Sequence, residues 1–240
     1  MISATTIPAP LLPLAAPNAG LADVGGKGAN LARLACAGFP VPAGFLIPTA
    51  AYRAFVAANR LDQVIGATLA GLAADDPAAL AAGSQNIRAA FTAGVMAPAL
   101  HAALAAAYRN LGEPAVAGRS SATAEDLPDM SFAGQQDTYL NIVGVAALSA
   151  AVIQCWGSLW TARAIGYRAR NQIGQDDVAL AIVVQQMVQA EASGVLFTAN
   201  PLTGRRSETV IDATLGLGEA LVSGQLRARS RQRFWPRSLE

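Results

Sequence analysis

Histidine, cysteine and lysine are nearly absent from this 240-residue chain. There is one histidine, His101, two cysteines, Cys36 and Cys155, and one lysine, Lys27, among 17 basic residues. Two cysteines supply no disulfide framework, and with a single histidine they make no zinc site. They read as small buried hydrophobes in a reducing compartment. His101 lies in the Ala-rich stretch Leu100 to Ala107, which reads as a helix, and it is expected on that helix's surface or half buried. No Ser-His-Asp or Cys-His arrangement assembles around it. Charge is scarce as well, with 14% charged residues and a net charge of +1. Such a balance gives no support to a nucleic-acid or polyanion binder. The 53% hydrophobic content argues against disorder, and the length suits one large domain or two small ones. A chain rich in alanine and arginine but poor in lysine looks like the product of a GC-rich genome. Against that bias the single retained lysine stands out.

The first nineteen residues lack a positively charged n-region, so no secretory signal is read there. Prolines 8, 10, 13 and 17 preclude a continuous helix. The longest uncharged run, Thr138 to Ala162, raises the question of a membrane span. Its first residues look like a strand, and from Val145 to Arg168 the residues Leu148, Val152, Cys155, Trp156 and Leu159 recur at helical intervals. A buried helix of a soluble protein is the expectation, with no membrane partner and a cytoplasmic location.

Along the chain, a glycine cluster precedes a helical stretch from Ala29 to Ala37. A short strand at Phe45 to Ile47 and a helix from Thr49 follow. Residues 61–112 read as helical with breaks at Pro77 and Pro98. Residues 115–143 read as a polar loop between short apolar runs. Strands are expected at Val178 to Val188, Gly194 to Thr198 and Thr209 to Ile211. There is no internal repeat, and the pattern is α+β, not regular βαβ alternation. From residue 226 onward arginines 227, 229, 231, 233 and 237 appear without an apolar face. This reads either as a basic tail for an anionic partner or as out-of-frame sequence that does not belong to the fold.

Five runs could carry chemistry. Gly25-Gly26-Lys27-Gly28 lets the backbone approach an anion closely, and a helix beginning there would aim N–H groups the same way. It is not a Walker A loop, which needs glycine where Leu21 stands and a hydroxyl residue where Gly28 stands. Arg119-Ser120-Ser121-Ala122-Thr123 joins a planar bidentate donor to hydroxyls, followed by Glu125 and Asp126. A helix N-terminus capped by Ser or Thr is the plain alternative there. Ser131 to Tyr139 could cover a phosphate or form an ordinary hairpin loop. Val183 to Val188 could flank an adenine or be only a buried strand. Gly216-Leu217-Gly218 could open a helix toward the same ligand or make a tight turn.

Taken in order, these runs with Gly38 to Pro42, Cys155 to Trp160 and Ser193 to Pro201 resemble one family. It is the N-terminal nucleotide-binding domain of the phosphoenolpyruvate synthase and pyruvate, phosphate dikinase family, to which rifampicin phosphotransferases are also similar. The resemblance covers about residues 12–225. It implies an ATP-grasp-like fold binding ATP with Mg²⁺, with a small-molecule phosphoryl acceptor. By that resemblance Lys27 and Arg119 contact the triphosphate, Gly134 and Thr138 belong to a loop over its distal phosphates, and Gln185 lies near the adenine. A histidine on a separate domain accepts the phosphoryl group in the family. The family's Asp-Ile-Glu-Trp-like magnesium motif and Gln-Ser-Arg-Pro-like strand are absent from this sequence, and position 118 is glycine where a branched residue is usual. The expectation is therefore a C-terminally truncated domain over 1–225 with an Arg-rich tail at 226–240. Such a chain would bind nucleotide weakly, hold no metal ligands of its own and complete no turnover. Three other readings are a rifamycin-type phosphotransferase fragment, a non-catalytic binding module and a decayed fragment.

Overall fold

A computed structural model describes residues 11–73, 75–123, 138–174, 178–218 and 235–236. The chain divides into two compact units, Met1–Met187 and Val188–Glu240. The first combines helices with an antiparallel sheet and the described part of the second is an antiparallel sheet, so the chain as a whole fits the α+β expectation.

In the first unit the two prolines read as breaks each open a helix. α4 (Pro77–Ala93) and α5 (Pro98–Asn110) carry proline in their first turn, where its missing N–H leaves no helical bond unmade. Asp76 caps α4, its carboxylate accepting the N–H groups of Ala78 and Ala79 at 2.9 and 3.1 Å. The other elements are β1 (Leu12–Pro13), α1 (Leu21–Cys36), β2 (Gly44–Ile47), α2 (Thr49–Ala58), α3 (Leu61–Leu69), β3 (Val116–Ala122) and β4 (Thr138–Ile142). α6 (Val145–Gly157), a short 3-10 turn over Ser158–Trp160, α7 (Ala162–Arg170) and β5 (Leu180–Gln186) complete it.

The sheet order is β1-β2-β5-β3-β4, with antiparallel neighbours throughout. Strand alternation sends Phe45, Ile47, Ile182, Val184 and Val116 to one face. There they meet Tyr52, Phe55, Phe91, Trp156 and Leu104 from the helices in the main core. Each such fully buried side chain contributes about 1.5–3 kcal/mol of transfer free energy. The opposite face holds a smaller cluster, Leu46, Ala181 and Val183, covered by Val24 of α1 and by Leu14. This smaller cover is what leaves room for a site.

Several expectations change. Helix α1 begins at Leu21, not near Ala29, and Arg119 to Ala122 lie in a strand, not at a helix N-terminus. The polar loop expected over 115–143 contains β3, and β4 falls where the first residues of the Thr138 run read as a strand. Cys155 is buried, but Cys36 is exposed at the end of α1, where its thiol donates to the Ala15 carbonyl at 3.3 Å. His101 lies exposed on α5 as expected. The run from Thr138 divides into β4, α6 and the turn. Among the described residues one helical stretch, Val145–Arg170, is long and apolar enough to cross a membrane, and half of its apolar window is packed inside the protein.

The second unit pairs β6 (Ala192–Phe197) with β7 (Glu208–Leu215), and β7 with β8 (Trp235–Pro236). β7 extends beyond the strand expected at Thr209 to Ile211. Asn200 organises the turn between β6 and β7: its side-chain Oδ1 accepts from the N–H groups of Leu202 and Thr203, and its Nδ2 donates to Glu208 at 2.7 Å. That bond, with a second from Arg205, holds the Glu208 carboxyl below its ordinary value.

Candidate functional site

β3 is buried at every position but one. The exception is Arg119, half exposed in the middle of the strand. Among the described residues its guanidinium has no hydrogen-bond or ion-pair partner. A charge in that position costs desolvation unless an opposite charge meets it. Arg119 faces the same side of the sheet as Ala117 and Ser121, the side that α1 covers in part. Its antiparallel partners are Val183 on β5 and Thr138 on β4. Thr138 is exposed and shares that face, directly across from the arginine.

Gln185 lies two residues along β5 from Val183, so it too belongs to this face. It is buried, and its amide donates to the Pro42 carbonyl at 3.3 Å, which fixes the end of β2 against β5. Gly44 stands opposite it, where a side chain would run into the Val184 carbonyl.

Lys27 lies on α1, in the segment that packs against β3. The helix is broken at Gly25, whose φ of 67° and ψ of 176° lie far from helical values. A methyl group at Gly25 would overlap the Ser121 backbone carbonyl, so both the positive φ and the close approach require glycine. Ser121, fully buried, donates its hydroxyl to the Val24 carbonyl at 2.7 Å and accepts the Gly28 N–H at 3.1 Å. Val24 and Gly28 are an i, i+4 pair. The serine hydroxyl has entered the helical ladder at the break, a recognised cause of kinks. Lys27, half buried, stands in the turn just beyond that insertion.

Of the five residues singled out in the sequence, Arg119, Thr138 and Gln185 share one sheet face, and Lys27 stands in the segment of α1 that is bonded to Ser121 of that face. Gly134 lies outside the described residues, as do Glu125 and Asp126. Gly216 and Gly218 belong to the second unit, where Gly216 follows β7 with φ of 76° and its N–H donates to the Glu191 carbonyl at 2.9 Å. Clefts of about 760, 620 and 290 Å³ in the first unit are lined by other residues. The candidate face forms a shelf on the side of the sheet that α1 covers in part. Among the described residues no three His, Cys, Asp or Glu side chains gather to hold a metal ion. The shelf offers cations, a hydroxyl and an amide, a set suited to an anion with an attached polar ring.

Ser121 was legible only as one of three hydroxyls after an arginine. A second feature without a sequence signal is Arg168, which is completely buried. It stacks 4.7 Å over the Trp160 ring and donates to the Leu159 carbonyl at 2.8 Å, while Nε and Nη2 have no hydrogen-bond partner among the described residues. Burial pushes its guanidinium down to about 10. Tyr52 accepts the Trp160 indole N–H at 3.2 Å, and burial pushes its phenol up to about 12.

The first unit is thus an α+β domain in which a lysine-bearing glycine turn packs against the strand that carries Arg119. The chain belongs to the pyruvate phosphate dikinase AMP/ATP-binding domain family, which it matches over residues 21–234. It is 49% identical over 206 residues to a rifampicin phosphotransferase of Streptomyces sviceus, covering 85% of this chain and 24% of the relative. It is 46% identical over 206 residues to a probable phosphoenolpyruvate synthase of Archaeoglobus fulgidus, covering 84% of this chain and 27% of the relative. To a phosphoenolpyruvate synthase of Aeropyrum pernix it is 44% identical over 213 residues, covering 85% and 26%. The chain spans about a quarter of the length of these relatives.

Proposed function

We propose that this chain is the ATP-binding portion of a phosphoenolpyruvate synthase-like phosphotransferase with an ATP-grasp-like fold, acting in the cytoplasm. The observation that carries the reading is Arg119, without a partner among the described residues, on the sheet face that also bears Thr138 and Gln185 and that the Lys27 turn packs against. Arg119 and Lys27 bind the triphosphate, Arg119 through its planar fork and Lys27 as a mobile point charge. Gly134 and Thr138 cover the distal phosphates, and Gln185 lies beside the adenine. The two cations stabilise charge spreading over the transferred phosphoryl group, the main contribution of protein groups to such reactions. Magnesium accompanies ATP and takes its carboxylates from outside the described residues. The parent reaction passes the phosphoryl group through a histidine to a small acceptor, pyruvate or an antibiotic hydroxyl. Residues 1–225 belong to this domain, and 226–240 are an Arg-rich tail.

Calorimetry with Mg-ATP tests the site. Lys27→Ala and Arg119→Ala are each expected to weaken binding about 10-fold or more, the scale of a lost charge-assisted hydrogen bond. Equal binding by both variants and the unsubstituted chain would remove the assignment.

A further inference from the structure

We propose that Ser121 is a positioning residue that sets Lys27 for the nucleotide by holding α1 open at Gly25. The inference rests on the nucleotide reading above and adds to it a residue that touches no ligand. Three observations meet in one place. The Ser121 hydroxyl bridges the Val24 carbonyl and the Gly28 N–H, the two groups that an unbroken helix would join directly. Gly25, between them, has a backbone conformation suited to glycine and lies against the Ser121 carbonyl. Lys27, the sole lysine, is the neighbour of Gly28 inside the bridged segment.

The same strand supplies both sides of the arrangement. Ser121 and Arg119 are two residues apart on β3 and face the same way, so the strand that presents the arginine also fixes the turn that presents the lysine. Without the hydroxyl, Val24 and Gly28 either remain unpaired in a dry environment or close into an ordinary helical bond. Closure requires rotation about Gly25 and carries Lys27 off the shelf. Either result loosens the spacing between the two cations, and misplacement on the ångström scale is enough to weaken a site built on fixed geometry.

A double-mutant cycle with Mg-ATP titrations separates positioning from simple structural support. Ser121→Ala is expected to melt cooperatively and to bind Mg-ATP about 5–10-fold more weakly, a loss within the range for one buried hydrogen-bonding group. In a Lys27→Ala background the same change is expected to matter less than about 2-fold, because the lysine it positions is already gone. Ser121→Cys, which keeps the volume but donates weakly, is expected to fall between serine and alanine. If Lys27→Ala weakens binding while Ser121→Ala does not, or if the two losses add in full, the positioning role fails and the nucleotide reading stands. If the unsubstituted chain takes up no nucleotide, or Lys27→Ala binds as it does, the nucleotide reading fails and this inference with it. Should Ser121→Ala not fold, Ser121→Cys carries the same cycle. If neither folds, the residue is structural and the proposal is wrong.

Discussion

Arg168 and Tyr52, neighbours of the same indole, titrate in opposite senses over one alkaline range. The Tyr52 phenol, raised from 10.0 to about 12, contributes stability that is complete below pH 10 and is lost as the pH rises toward 12. The Arg168 guanidinium, lowered from 12.5 to about 10, does the reverse: the folded state gains as the pH rises from about 10 to 12.5. The two trends offset each other in the native chain. Arg168→Met removes the gain and leaves the tyrosine's loss. Denaturant melts at stepped pH are therefore expected to show the variant losing stability more steeply between pH 10 and 12 than the native chain. Parallel slopes would contradict this account. At this scale the sequence disclosed what ligand chemistry demands, a lone lysine among glycines and an arginine beside hydroxyls. It could not disclose Ser121's partner, since Val24 is 97 residues away and no local pattern encodes the pairing. Arg168 was equally hidden, because an arginine in a helix ordinarily reads as a surface residue.

Helix boundaries were most legible where the chain carries its own punctuation. Pro77 and Pro98 mark the starts of α4 and α5 because proline fixes the first-turn φ and needs no helical donor there. Asp76 adds a side-chain cap, and Asp76→Ala is expected to cost about 1 kcal/mol, read as a lower denaturation midpoint with unchanged slope. The start of α1 was misread for the opposite reason. Three glycines look like a loop, yet here one of them forms a break within the helix and the others continue it. β3 was missed because Gly118, Arg119 and two serines weaken its strand signal. Pairing with β5 and cover by α1 on one face and α6 on the other outweigh that weak propensity.

As a whole the molecule is two units of unequal finish. The first encloses an extensive core. The second presents an uncharged strip on one face of its sheet, formed by the cross-strand pairs Ala192 with Leu215, Gly194 with Ala213 and Leu196 with Ile211. Leu215 is 87% exposed and Leu196 58%. Contiguous apolar surface of this kind attracts hydrophobic dyes and promotes association. Replacing Leu196 and Ile211 together by threonine, which suits a strand, is expected to lower dye fluorescence while leaving the first unit's melt within about 0.5 kcal/mol. Unchanged dye binding would place the signal elsewhere. The α+β class was readable from the alternation of helical and strand runs, whereas the order of strands was not, because pairing partners lie far apart in the chain. That order has a consequence for synthesis. β5 lies between β2 and β3 in the sheet, and among the described elements it is the last of its unit to leave the ribosome. Until residues 180–186 emerge, the lysine turn and the arginine strand have no common sheet to hold them, so nascent chains shorter than this are prone to chaperone capture and slow closure.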